Sequence, residues 1–195
     1  MKKTIVPICL LGLLACNNQG VDENRSDRKD SVKLGSISTP SSGQLIKPGY
    51  SIGHLVIGSS TDSAIAILGS PDSSDAAMGS ALMAWYSKDA NQYRTAIFAG
   101  RNMGNDEVSR IKRIMVSSPW FTTADGIATG SSLEAIEKKY SLKPVDDATA
   151  KSKGLMVFDD TEKGIAFDID TASKICKAIS VHKPGEGASS YINMH

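Results

Sequence analysis

The chain has 195 residues, with 22 Lys plus Arg against 21 Asp plus Glu, a formal charge of +1 and 6% aromatic residues. That balance leaves no basic footprint for nucleic acid. Three cysteines exclude a disulfide scaffold.

The first residues, MKKTIVPICLLGLLACNNQG, place Lys2 and Lys3 before an apolar run from Thr4 to Ala15. The run is too short to span a bilayer and reads as a signal peptide over residues 1–15. It ends in Leu13-Leu14-Ala15-Cys16, which resembles the lipobox of bacterial lipoproteins. The resemblance implies lipidation of Cys16 and a membrane partner reached through that lipid. Cleavage would remove Lys2 and Lys3, so 22 basic residues become 20 against 21 acidic ones, a formal −1. Residues 16–49 are polar, mixed in charge and poor in aliphatic side chains, the composition of a flexible tether.

From Tyr50 onward two stretches open alike, GSSTDSAIAILGSP at Gly58–Pro71 and GSSLEAIEKKY at Gly130–Tyr140. Both are predicted helices. Ser131 with Glu134, and Ser59 with Asp62, fit a capping box. Ala64, Ile65, Ile67 and Leu68 form one apolar stripe, and Leu133, Ile136 and Tyr140 the other. Gly69 and Pro71 stop the first helix.

Alternating segments follow each helix: 81–87, 92–100 and 108–118, then 154–160, 163–170 and 174–182. Short polar turns between them predict antiparallel meanders. Aligning Gly58 on Gly130, and later Ser109 on Ser173 and Ile111 on Ile175, points to an internal duplication. The expected fold class is α+β, with two helix-plus-sheet units at 50–118 and 119–183 and a tail at 184–195. A small extra strand or helix is expected near Tyr50–Ile57.

A glycine, a small hydroxyl, a short helix ending Leu-Gly-x-Pro and an aromatic pair on the next strand resemble the SmpA/OmlA (BamE-like) lipoproteins. The matching residues are Gly58, Ser60, Ala64, Leu68, Gly69, Pro71, Trp85 and Tyr86. Two such units in tandem resemble the beta-lactamase-inhibitor-protein (BLIP-like) architecture. The resemblance implies a bacterial envelope lipoprotein, at the outer membrane, that binds an envelope protein or assists outer-membrane assembly.

The residues offer little chemistry of their own. Asp159–Asp160 and Asp168–Asp170 read as turn caps, and no calcium-loop pattern surrounds them. His54, His182 and His195 lack zinc-ligand spacing, so no metal or other cofactor is expected. There is no nucleophile elbow, Walker motif or dinucleotide fingerprint. Cys176, in an alternating segment, reads as a small sheet residue. The expectation is a non-enzymatic protein-binding module. Its candidate binding residues are Trp85, Tyr86, Tyr93, Trp120 and Phe121, because aromatics at a sheet or junction anchor partners. The alternatives are an envelope hydrolase with a site between the units and a structural lipoprotein without a tight partner.

Overall fold

A computed structural model describes residues 40–102 and 104–188, all within one compact unit. The expected signal peptide, Cys16 and the expected tether as far as residue 39 lie outside the described residues.

Three short strands open the described chain: β1 (Leu45–Lys47), β2 (Ser51–Ile52) and β3 (Leu55–Val56). Ile46 and Ile52 are almost fully buried. Ordered structure therefore begins before the boundary expected at residue 50. Helix α1 (Thr61–Leu68) follows, then β4 (Ser73–Ala77), β5 (Ser80–Tyr86), β6 (Arg94–Asn102) and β7 (Asp106–Val116). After β8 (Thr122–Thr123) come α2 (Leu133–Glu137), β9 (Lys143–Val145) and α3 (Ala148–Ser152). Strands β10 (Leu155–Asp160), β11 (Ile165–Asp170) and β12 (Cys176–His182) complete the fold.

These strands form two sheets. The larger has eight strands in the order β4-β5-β6-β7-β12-β11-β10-β9, and the smaller has the order β3-β2-β1-β8. All pairs in the larger sheet are antiparallel. Strand accounts for 45% and helix for 12% of the structure. The α+β expectation of two BLIP-like helix-plus-sheet units is therefore corrected: the described residues are mostly β, with three short helices among them. The physical reason lies in the connecting segments. Polar stretches such as Ser73–Ala77 and Lys143–Val145 pair as sheet edges, and the GSSLEAIEKKY stretch sustains only the five helical residues of α2.

Alternation explains the burial. On β7, Ile111, Ile114 and Val116 face one side of the sheet, and on β12 Cys176, Ile179 and Val181 do the same. Over this face lie Ala64 of α1, Ile136 of α2, and Ile46 and Ile52 of the smaller sheet, closing a single main core. The opposite face carries a smaller cluster of Ala84, Ala96, Met115 and Ala178.

The two halves of the large sheet follow one hydrogen-bond plan. Gly58 N–H donates to Ile111 O at 2.7 Å, and Ile111 N–H to Ser59 O at 2.8 Å. Gly130 N–H donates to Cys176 O at 2.8 Å, and Cys176 N–H to Ser131 O at 2.9 Å. Cys176, not Ile175, thus occupies the place of Ile111, one residue from the sequence alignment. Lys112 is skipped in the β6–β7 register and Lys177 in the β11–β12 register, so each half carries a bulge at the same point. At the centre Ile179 pairs with Val116, Ser180 with Met115 and Val181 with Ile114. The Met115–Ser180 pair therefore lies on a local two-fold.

Candidate functional site: an aromatic groove

The five aromatic residues expected to bind come from three separate segments, and the fold brings all of them to one groove of about 800 Å³. Trp85, near the end of β5, lies opposite Thr95 of β6. Its side chain is 7% exposed, and Nε1 donates to Gly69 O at 2.9 Å, fixing the exit of α1. Trp85 is thus a wall that also belongs to the core. Tyr86, one residue on, points to the other side and is exposed. Tyr93 is held by its N–H to the Ser87 hydroxyl at 2.8 Å, and Ser87 N–H donates back to Tyr93 O at 2.8 Å.

The third segment is the turn after β7. Ser118 Oγ accepts from Trp120 N–H at 3.2 Å, a local serine turn that sends neighbouring side chains different ways. Phe121 packs against the main core, whereas Trp120 remains 53% exposed. Their rings meet edge to face, 4.9 Å apart at 83°. Phe121 is the foundation on which Trp120 stands.

Polar groups at the rim were not singled out from sequence. Asp72 Oδ1 accepts from Lys88 Nζ at 2.8 Å and Oδ2 from Tyr86 N–H at 2.8 Å. The Lys88 ammonium, then the Tyr86 N–H, holds the Asp72 carboxyl below its ordinary range. Leu68 at the end of α1 also lines the groove, and neighbouring Ile67 is exposed. In the sequence Leu68 stands on the helix stripe, which suggests burial, and in the Leu-Gly-x-Pro motif, which marks the helix end; neither points to the groove.

A second cluster lies on the other face of the sheet. His182 Nε2 is 2.9 Å from Asp159 Oδ1, and Nδ1 is 3.1 Å from Lys183 O. Both groups are buried, correcting the reading of Asp159 as a turn cap. With both ring nitrogens engaged, His182 holds neither free to activate a hydroxyl. Asp160 accepts from Ser141 N–H and Lys163 N–H, and Asp170 caps Ser173 N–H. Ala188, within the expected tail, is buried and donates to Asp159. Cys176 is buried too, its Sγ 3.2 Å from Ala178 O, and burial pushes the thiol pKa up. Among the described residues, no group of three or more His, Cys, Asp or Glu is placed to hold a metal ion.

No family model matches the chain, and no curated protein matches it. An extracellular protein containing a SCP domain from Bacillus anthracis str. Ames is similar to it at 12% identity and a TM-score of 0.40. The match covers 66% of this chain and 44% of that protein, so the chain spans less than half of its length.

The groove is open, and its lining divides evenly between apolar or aromatic residues and polar ones, among them Asp72, Lys88 and Asp89. The aromatic part of such a lining has the shape and chemistry to take an aliphatic or aromatic side chain, with the Asp72–Lys88 pair beside it.

Proposed function

We propose that this chain is a non-enzymatic bacterial envelope lipoprotein, anchored through Cys16, that binds another envelope protein through the aromatic groove. The observation that carries this reading is the exposure of Trp120 on a rigid base: Phe121 packs beneath it and Ser118 fixes its turn. An exposed tryptophan held in one position loses little entropy when covered, which suits an interface anchor. The lipobox-like Leu13-Leu14-Ala15-Cys16 supports the anchor, and the resemblance to the SmpA/OmlA lipoproteins suggests outer-membrane assembly as the setting.

Two measurements test the reading. Palmitate labelling of cells should be lost in Cys16→Ser; unchanged labelling overturns the anchor. Crosslinking followed by pull-down of the tethered protein should yield one stoichiometric partner. Trp120→Ala should weaken that complex by about 2 kcal/mol, some thirtyfold, with the melting temperature unchanged. If nothing copurifies and the purified protein turns over ester or glycan substrates, the reading fails.

A further inference from the structure

The eight-stranded sheet ends in two unlike edges. On one, β9 has three residues and carries Lys143 and Pro144. Short length, a charge and a proline without an N–H all oppose addition of another strand. On the other, β4 reads Ser73-Ser74-Asp75-Ala76-Ala77 and is exposed along its whole length. Among the described residues it pairs only with β5, in unbroken register. It contains no proline, lysine or bulge to guard its outer side.

The turn beyond β4 determines which backbone groups face outward. Met78 and Gly79 have φ of 50° and 78°, and they link Ala77 to its partner Ser80. Positive φ at both positions of a two-residue loop is the type I′ hairpin. Such a turn closes on a hydrogen-bonded Ala77–Ser80 pair. Antiparallel alternation then aims the N–H and C=O groups of Ser74 and Ala76 away from β5. Their small side chains leave those groups open. Asp72, the residue before β4, lines the aromatic groove, so the groove lies next to the first residue of this edge strand.

We propose that β4 is a strand-accepting edge: an extended segment of the partner adds beside Ser73–Ala77 and lays one apolar side chain in the groove. This rests on the reading of the groove as the partner's binding site. Charge selects the occupant. Asp75 is the only charged residue in β4 and stands at its middle. A second copy pairing antiparallel in full overlap would set Asp75 against its own counterpart, a like-charge pair that opposes association. A strand of another protein with Lys or Arg opposite Asp75 meets the complementary charge. Backbone hydrogen bonds along Ser74 and Ala76 then supply affinity, and the groove supplies choice of side chain.

A phage-displayed library of random peptides of about nine residues, selected on the full chain, tests the proposal. Enriched peptides should combine β-prone residues with a Lys or Arg and an apolar side chain at constant spacing. Their binding, read by fluorescence anisotropy, should weaken at least about tenfold in Ala76→Pro and in Ser74→Pro. Each change removes one outward N–H and leaves the ladder to β5 in place, so the melting temperature should hold. If one proline lowers it, the other carries the test, together with Asp75→Lys, which should turn the selected charge acidic. No enrichment, or equal binding by both proline variants, overturns strand addition. Loss in the proline variants but not in Trp120→Ala upholds the edge and overturns the groove reading. Loss in Trp120→Ala alone does the reverse.

Discussion

Asp159 is 2% exposed, yet both its carboxylate oxygens are used. Oδ1 meets His182 Nε2 at 2.9 Å, while Oδ2 accepts from Thr161 Oγ1 at 2.7 Å and Ala188 N–H at 2.9 Å. Burial alone would raise its pKa. The His182 ring, the Ala188 amide and the Thr161 hydroxyl outweigh it and hold the carboxyl below the ordinary 3.8. A depressed folded pKa means that the contribution to stability is complete above the unfolded value and is lost as pH falls through the folded one. Between about pH 4 and lower values, the urea midpoint of the wild type should therefore fall more steeply than that of Asp159→Asn. At pH 7 the same variant should be less stable by about 1–2 kcal/mol, because an amide can accept from Thr161 and Ala188 with its oxygen and donate to the ring with its nitrogen, but it loses the carboxylate charge that these donors face. Equal pH profiles for the two proteins would refute this. Local sequence could not reveal the arrangement: Asp159-Asp160 before Thr-Glu-Lys-Gly has turn chemistry, and the partner that makes burial tolerable lies 23 residues away.

At the scale of elements, the repeated Gly-Ser-Ser starts were legible as helix starts, but the serine that caps was not. Ser63 N–H donates to Ser60 Oγ at 3.2 Å, and Ala135 N–H to Ser132 Oγ at 3.3 Å. In each copy the second serine is the cap. The first is drawn into the preceding turn: Ser59 Oγ donates to Val56 O, and Ser131 Oγ accepts from Ala128 N–H. Glu134 turns outward to Lys138 at 2.6 Å, so the expected reciprocal box does not form. Ser132→Ala should cost about 1 kcal/mol, measured by thermal denaturation, whereas Glu134→Ala should leave the melting temperature unchanged. A larger effect for Glu134→Ala would restore the capping box. The apolar strands were legible from alternation, since β7 and β12 each present a buried stripe. β4 was not, because Ser-Ser-Asp-Ala-Ala buries nothing and gains its extended form from pairing with β5. The groove shows the same division: residue type singled out its aromatics, but only the sheet register and the turn after β7 bring them together.

Across the whole molecule, one core joins elements far apart in sequence. Ile46 and Ile52 from the start of the described chain, Ile114 and Val116 from β7, and Phe167 and Val181 from the second half share one buried cluster. Neither half of the large sheet has this core to itself, so the described unit should unfold in a single transition. Gly164 tests that coupling. Its carbonyl accepts from Gly49 N–H and His182 N–H, both at 3.0 Å, and its own N–H donates to Asp160 O at 2.8 Å. One residue thus ties the turn after β1, the β10–β11 hairpin and the end of β12. Its φ is +71°, and an added Cβ would lie 2.3 Å from His182 O and 2.9 Å from Gly49 Cα. Both obstacles are backbone, which cannot swing aside as a side chain does. Gly164→Ala should therefore cost roughly 3–5 kcal/mol, strain and overpacking together. Gly104 is the control: its φ is +90° but nothing lies within 4 Å of an added Cβ. Gly104→Ala should cost only about 1–2 kcal/mol. With far-UV dichroism and Trp fluorescence followed together, Gly164→Ala should shift both curves equally. If the fluorescence of Trp85 and Trp120 kept its wild-type midpoint while dichroism shifted, the two halves would be unfolding independently and the shared core would not couple them.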